Sequence, residues 1–324
     1  ENKLSTILRG DNSFLTKDAF GKKRKSFPSL PEISMSDILD QTDIKDLIKY
    51  DDELSFYADT TYKDIMKRYH KYYAIVHADG DNMGKVIKNL KSKEDFQSFS
   101  KKLFDYCIKS NNIIDKYGAI TIFAGGDDLL FFAPVVSNNE TIFDLCHNIS
   151  NEFDNLFKET DATLSFGISI HYYKYPLYEA LGNSRNLLFA DAKSGDKNNI
   201  AFSVTKHSGQ TFKSIIHKGD QKLYKNFRLF SSNIKGGKDI DNFLHSIHHK
   251  IDTNKEILKN IADNKNKLKN FFCNYFNEDI HIEYRDFFTQ LIDFIYEAYQ
   301  KDRDSAFDIV YATLRFIKFV QGNK

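Results

Sequence analysis

The chain has 324 residues, 41% of them apolar and 15% aromatic, which is enough for roughly two domains with buried cores. Its 46 basic and 45 acidic residues nearly cancel, which excludes a global charge that would attract nucleic acid, so any such contact requires a local patch. Three scattered cysteines argue against a disulfide framework or a cysteine zinc site, and no apolar run reaches the ~18 residues of a membrane helix. We therefore expect a globular cytoplasmic protein without membrane contact.

Residues 1–70 are predicted to be a lead-in segment. It contains the basic run KKRK at 22–25, followed by the proline-marked stretch FPSLPEIS at 27–34. Such runs are usually solvated linkers, and a patch for RNA or protein is the less common alternative. Both interpretations remain open from the sequence.

From Tyr72 onward the periodicity of the apolar residues switches repeatedly, which is typical of an α/β unit. YYAIVHAD predicts a buried strand that ends at Asp79. Apolar residues at helical spacing from Phe96 to Cys107 predict a helix, which Ser92 begins with a capping box. The arms AITIFA and LLFFAPV flank the GGDD of 125–128 and predict a β-hairpin.

The remaining elements complete the predicted fold. A second helix at 142–153 and an alternating strand at 163–172 give the order βαββαβ, the ferredoxin-like split arrangement. Pro176 to about Lys193 predicts another helix, and 198–209 predicts one more strand.

After Phe212 we expect helices alone. The predicted class is therefore α/β (α+β), with a ferredoxin-like βαββαβ domain over 71–212 and an all-helical C-terminal domain over 213–324.

Two acidic clusters fall at the ends of strands predicted to be neighbours. Asp79 and Asp81 follow the first strand, while Asp127 and Asp128 occupy the hairpin tip. In a ferredoxin-like unit the first strand lies beside the hairpin, so both clusters are expected at one edge of the sheet. Converging carboxylates repel unless they are protonated or neutralised by a cation. Mg²⁺ prefers oxygen ligands, so the pattern predicts a metal-bound nucleoside triphosphate, with two ions about 4 Å apart activating a hydroxyl and stabilising pyrophosphate.

Glycines flank both acidic clusters and allow the backbone to approach phosphates; they are Gly80, Gly84, Gly125 and Gly126. Backbone amides from 80 to 84, at the start of a helix, are suited to anionic oxygens. Alone, DGD or GGDD is most often an ordinary turn. The two motifs in the correct order of elements are more specific, and we favour the metal–nucleotide interpretation.

Other candidate residues carry weaker signals. Lys193 either reaches a triphosphate or only complements a helix dipole, and Ser165 either faces a base or pairs across strands. His245, His248 and His249 share a helical face, for which solvation is expected rather than metal binding.

Five stretches resemble the large polymerase–cyclase subunit of type III CRISPR effector complexes, most closely its III-B, or Cmr, branch. They are FPSLPEI at 27–33, YYAIVHADGDNMGKVI at 72–87, GGDDLLFFAPV at 125–135, LSFGISIHYYKYPLYEAL at 164–181, and the AK of 192–193 before NNIAFSVTKHSG. The helical remainder is similar in position and character only.

This resemblance implies a palm domain that links ATP into cyclic oligoadenylate messengers for antiviral defence when target RNA is bound. It implies Mg²⁺ or Mn²⁺ held by Asp79, Gly80, Asp127 and Asp128, the three aspartates being catalytic. The implied nucleotide-binding residues are Gly80, Asp81, Asn82, Met83, Gly84, Gly125, Gly126, Ser165 and Lys193. The implied partners are other subunits of a type III CRISPR ribonucleoprotein complex and, through that complex, guide RNA and target RNA. Some members are thought to join AMP to S-adenosylmethionine, and the motifs leave the acceptor open.

Family members usually also have an N-terminal HD nuclease domain, another palm and a zinc ribbon, none of which this sequence displays. We expect the C-terminal portion of a longer protein or a reduced member. The nearest rival is a diguanylate cyclase, which carries GGDEF or GGEEF where this chain has GGDDL, and usually phenylalanine where Met83 stands. A noncatalytic scaffold is the alternative from another class, although intact acids at all expected positions argue against it.

Overall fold

The computed structural model describes residues 28–39, 67–232, 240–275 and 284–321, and the basic run at 22–25 lies outside them. The described strands are β1 (Tyr72–Asp81), β2 (Ile120–Gly125), β3 (Asp128–Pro134), β4 (Val136–Ser137), β5 (Glu140–Thr141), β6 (Thr163–Tyr172), β7 (Asn199–Thr205) and β8 (Thr211–His217). The described helices are α1 (Leu30–Ser34), α2 (Ser36–Leu39), α3 (Met83–Lys88), α4 (Lys93–Lys116), α5 (Ile142–Phe157), α6 (Leu177–Asn186), α7 (Gln221–Ser231), α8 (Ile240–Thr253), α9 (Lys255–Ile261), α10 (Lys265–Tyr275), α11 (Arg285–Lys301) and α12 (Ala306–Gln321). A 3₁₀ turn, Arg68–Lys71, precedes β1, and a π-helical turn, Leu187–Ala192, follows α6.

The main sheet has the strand order β2-β3-β1-β6-β7-β8. Strand β1 lies between β3 and β6 and is antiparallel to both, while α4 and α5 provide the two crossovers. This order confirms the predicted ferredoxin-like βαββαβ arrangement. Strand β7 adds to β6 in parallel, and β8 closes the edge as a hairpin with β7.

Strand β1 is longer than its apolar run predicts. The prediction that it ends at Asp79 is wrong, because pairing with β6 continues to Asp81, which lies opposite Thr163. The turn begins only at Asn82, whose φ of 60° is in the left-handed region. The motif DGD is therefore the end of a strand and not a surface turn.

Strand β8 corrects the expectation that only helices follow Phe212. Residues 211–217 pair along the whole of β7, from Thr205 with Thr211 to Asn199 with His217. Its side chains alternate between the two faces, so Phe212, Ser214 and Ile216 are buried while Lys213 and Ile215 are exposed. The sheet thus extends five residues into the region predicted to be helical.

Part of the predicted lead-in is packed against the sheet. Ser29 caps α1 with a capping box that includes Glu32, and Ile33 is only 2% exposed, in a cluster with Tyr73 and Phe132. The hydroxyl of Ser34 donates to a backbone carbonyl of the 3₁₀ turn before β1. Residues 28–39 therefore do not form a solvated linker.

Alternation along β1 gives the sheet two buried faces. Ala74 and Val76 face the larger core, which also contains residues of the C-terminal helices, whereas Ile75 contributes to the smaller core beneath α1 and α6. The ring of Phe143 lies 4.7 Å from that of Phe316 in α12, so the sheet and the helical region share one core. No helix within the described ranges is both long and apolar enough to span a bilayer.

Candidate functional site

At the C-terminal end of β1 a carboxylate and a backbone carbonyl both contact the ammonium of Lys193. The ammonium of Lys193 pairs with the Asp79 carboxylate and donates to the carbonyl of Gly80 at 2.9 Å. Burial lowers the pKa of Lys193 to about 8, and repulsion from Lys197 contributes further. Lys193 therefore reaches the predicted site.

A close approach of backbones brings Lys193 to this position. Gly167 of β6 packs against the carbonyl of Ser184 and the backbone of Leu188, where any Cβ atom would overlap both. The π-helical turn that contains Leu188 then ends directly before Lys193. The glycine that ends LSFG thus allows the π-helical turn to pack closely against the sheet.

Asp81 anchors the end of β1 from inside the protein. Its Oδ2 accepts hydrogen bonds from Thr163 Oγ1 at 2.9 Å, from Ser165 Oγ at 2.6 Å and from the backbone N–H of Asn198 at 3.0 Å. Its Oδ1 has no hydrogen-bond partner among the described residues and lies 3.5 Å from the ammonium of Lys193. Asp81 and Ser165 are both fully buried, so the geometry favours the cross-strand interpretation of Ser165 over contact with a base.

The hairpin tip brings a third carboxylate to the same edge. Gly126, at φ +69°, opens the two-residue turn, and Asp127 then lies against Gly80, where an added Cβ would be 2.5 Å from the Asp127 Oδ2. Burial raises the pKa of Asp127, and the charge of Asp128 raises it further, while hydrogen bonding from the Gly80 backbone opposes the shift. The acids of the two motifs therefore meet at one sheet edge, as the spacing predicts.

Asp128 continues the register between β1 and β3. Ala78 pairs with Leu129, so Asp79 and Asp128 are the next residues on the two strands. Burial raises the pKa of Asp128, and the nearby His77 opposes the shift. The negative charges of Asp127 and Asp128 are therefore only partly neutralised by their surroundings. Such carboxylates favour the binding of a cation.

The other predicted residues make different contacts around the site. Met83 is buried against Gly80, and the amide of Asn82 donates to the carbonyl of Asp161 at 3.1 Å. A Cβ added at Gly84 would have no described atom within 4 Å. The predicted residues Gly125 and Gly126 line a cavity of about 800 Å³ together with Ser100, Leu103, Phe104, Cys107, Ile108 and Ala124.

Comparison with known proteins shows which family this part of the chain resembles. The profile of the Cas10/Cmr2 second palm domain matches residues 72–201. The CRISPR system Cmr subunit Cmr2 of Pyrococcus furiosus is 29% identical over 211 residues, which cover 56% of this chain and 24% of that protein. The chain thus spans about a quarter of the curated relative that it matches.

Solved structures extend the similarity of fold beyond the palm. A Csm1–Csm4 cassette in complex with pppApA has a TM-score of 0.52 at 14% identity, covering 77% of this chain and 36% of that one. The same cassette in complex with cA4 gives a TM-score of 0.52 at 15% identity, with the same coverage. At these identities the comparison shows a shared fold.

The donor atoms at the acidic edge of the sheet fit a hard cation. Asp79 and Gly80 already direct two oxygens at one ammonium, and the Asp127 carboxylate lies against the same glycine. Across the described part of the chain, no three acidic, imidazole or thiol side chains are grouped closely enough to hold a metal by themselves. Since Gly80 contributes a backbone carbonyl and Lys193 now pairs with Asp79, the metal set of Asp79, Gly80, Asp127 and Asp128 remains a prediction.

Three residues of the palm edge escaped sequence reasoning. Thr163 and Asn198 bind Asp81, and the TxS spacing of TLSFG was an available signal for the first of them. Lys218 is buried behind the site, where its ammonium donates to Ser150. Burial lowers the pKa of Lys218 to about 8, against the opposing charges of Asp154 and Asp81. No local signal indicated Lys218, because it follows the unpredicted strand β8.

Proposed function

We propose that the chain is the catalytic palm portion of a subunit of a type III CRISPR ribonucleoprotein complex. It binds ATP and, with Mg²⁺ or Mn²⁺, acts as a nucleotidyltransferase that makes a cyclic oligoadenylate or a related AMP conjugate, such as one with S-adenosylmethionine. The observation that carries this proposal is the meeting of the Asp79 carboxylate, the Gly80 carbonyl and Asp127 at one strand end. The complexes of the Csm1–Csm4 cassette with pppApA and cA4 support the product class.

Partners are inferred from the same relatives. Cmr2 is described as a subunit of a Cmr system, and Csm1 is solved together with Csm4. We therefore propose that this chain assembles with other subunits of such a complex, and that guide RNA and target RNA reach it through that assembly.

Each residue has a physical role in this proposal. Asp79, the Gly80 carbonyl, Asp127 and Asp128 would hold the metal, which supplies Lewis acidity at the phosphate and lowers the pKa of an attacking hydroxyl. Lys193 neutralises Asp79 and, with a nucleotide present, turns its ammonium to the triphosphate. Asp81 fixes the end of β1 and thereby orients Asp79. The open cavity beside Gly125 and Gly126 accepts the nucleoside.

The deciding experiment removes the hairpin acids. The Asp127→Ala plus Asp128→Ala variant, within its assembled complex and with target RNA, should form product from ATP at least ~10³-fold more slowly. Chromatography of the products, with and without S-adenosylmethionine, measures the rate and identifies the acceptor. Circular dichroism should be unchanged, because the double variant relieves like-charge repulsion at a turn.

The matched control is Asp161→Ala plus Asp196→Ala, which removes the same charge from two exposed positions. It should retain the rate of the unmodified protein. Product formation unaffected by loss of Asp127 and Asp128 contradicts the proposed site. Preferential use of GTP with a two-guanylate product assigns the chain to the rival cyclase class, and absence of product from the intact complex supports the noncatalytic scaffold.

A further inference from the structure

The N-terminal end of β1, opposite the acidic site, carries a cluster of cations. We call it the basic cluster: Arg68 of the 3₁₀ turn, Lys206 of the β7–β8 turn, and Arg315 and Lys318 of α12. The four side chains are half-buried and come from three separate parts of the chain. No sequence pattern indicated the cluster, since its members are spread along the chain from position 68 to position 318.

Aromatic contacts hold the basic cluster in place. The backbone N–H of His207, next to Lys206, donates to the hydroxyl of Tyr72 at 3.0 Å, and the Tyr72 ring packs 4.8 Å from Phe319 of α12. Arg315, one turn before Phe319, lies 5.0 Å above the ring of Phe212. The strand end, the turn and the helix are therefore fixed relative to one another.

Three members of the basic cluster repel one another, and no described carboxylate pairs with them. Within the described ranges no carboxylate forms an ion pair with Lys206, Arg315 or Lys318. Burial lowers the pKa of Lys206, and the charges of Arg315, Arg68 and Lys318 lower it further. Positive charge is therefore concentrated at this end of the strand.

The charge also acts on the neighbouring helix. Burial lowers the pKa of His248 to about 4, and the charges of Arg315 and Lys318 contribute, with partial opposition from Asp252. The ring of His248 lies 4.1 Å from Tyr311, whose ring is also 5.5 Å from Arg315. The histidine face was predicted to be solvated, and His248 instead packs beside the basic cluster.

We propose that the basic cluster, with the adjacent rings of Tyr311 and His207, binds the phosphodiester backbone of a single-stranded RNA. Like charges held together are costly, and an anionic ligand removes that cost. A single phosphate group carries about two negative charges at neutral pH, fewer than the three charges of Lys206, Arg315 and Lys318. A strand presents one charge on each nucleotide, and its bases can stack on nearby rings.

The test measures binding of a 5′-labelled oligouridylate of about 20 nucleotides to the full chain by fluorescence anisotropy over a series of salt concentrations. The variant Lys206→Gln plus Arg315→Gln plus Lys318→Gln should bind at least ~10-fold more weakly at low salt. Its slope of log K against log salt should be smaller by about 2, since each lost phosphate contact removes ~0.7 for a single strand.

The control variant replaces three exposed lysines instead: Lys101→Gln plus Lys222→Gln plus Lys225→Gln. It should bind within about twofold of the unmodified chain, as should the Asp127→Ala plus Asp128→Ala variant, so this test is independent of catalysis. The proposal is overturned if the two triple variants lose RNA affinity equally, or if the salt slope of the basic-cluster variant is unchanged. Displacement of RNA by inorganic phosphate at constant ionic strength overturns it too, because it identifies a single-phosphate site.

Folding is checked separately by thermal melting of each variant. If the triple variant melts early, the single changes Lys206→Gln and Lys318→Gln provide the same comparison, each with a slope reduced by about 0.7. Single changes that leave the slope unaltered overturn the proposal as well.

Discussion

The two ends of β1 handle charge in opposite ways. At the C-terminal end, Asp81 is fully buried yet receives three hydrogen bonds, and Lys193 neutralises Asp79. At the N-terminal end, Lys206 and its neighbours in the basic cluster repel one another. The contrast teaches that the chain itself neutralises the charges at the C-terminal end of β1. At the N-terminal end the positive charge is neutralised by an external anion.

The largest expected effect tests whether Asp81 organises the acidic end. Asp81→Ala should lower the free energy of unfolding by ~3–5 kcal/mol, because Thr163, Ser165 and the Asn198 amide lose their common acceptor and Lys193 loses a nearby charge. Urea denaturation measures the loss. Asp196→Ala, at an exposed position, should change it by less than ~0.5 kcal/mol. A loss below ~1 kcal/mol for Asp81→Ala would show that the end of β1 does not depend on this carboxylate.

The next effect uses pH to test the buried cation behind the site. The pKa of Lys218 falls from 10.5 to about 8 on folding, so between these values the unfolded chain binds the extra proton. The free energy of unfolding should therefore rise with pH across this window, by up to ~1.4 kcal/mol per pH unit from this group, whereas below pH 8 its cost is constant. Lys218→Met should remove that part of the slope. Identical slopes in the two proteins contradict a buried, charged Lys218.

A smaller effect tests the close contact between Gly80 and Asp127 at the acidic end. In Gly80→Ala the new methyl group meets the Oδ2 of Asp127 and displaces that carboxylate, so product formation should fall ~10–100-fold. The free energy of unfolding should fall by ~1–3 kcal/mol, because the methyl group would also lie 2.8 Å from the Cβ of Asp127 and from the Cγ of buried Met83. Gly84→Ala is the matched control, since no described atom lies within 4 Å of its added Cβ. Equal activities of the two variants would remove Asp127 from the proposed metal set.

The smallest effect has the opposite sign and lies at the other end of β1. Lys206→Gln should raise the free energy of unfolding by ~0.5 kcal/mol at low ionic strength, because it relieves repulsion from Arg315 and Lys318. Screening by about 1 M salt should abolish the gain. Lys222→Gln, on an exposed position of α7, should give no gain. Destabilisation by Lys206→Gln at low salt would mean that the basic cluster is already compensated.

The sequence predicts those elements whose patterns lie within one short stretch of the chain. The alternation around GGDD and the run before Asp79 were sufficient for the hairpin, for β1 and for their adjacency. The hidden parts depend on residues far apart in the chain. Lys193 meets Gly80 across 113 positions, which no periodicity encodes. Strand β8 is short and half polar, and its omission concealed Lys218 and the turn that carries Lys206.

The π-helical turn between Ser184 and Lys193 makes the acidic end sensitive to chain length. A wider turn accommodates one residue more than regular α-helix over the same rise, so each deletion or insertion in 187–192 rotates the downstream residues by roughly 100° about the axis. The ammonium of Lys193 would then no longer reach Asp79, although both residues are still present. In residues 187–192 the number of residues, more than their identity, therefore determines whether Lys193 stays paired with Asp79 at the end of β1.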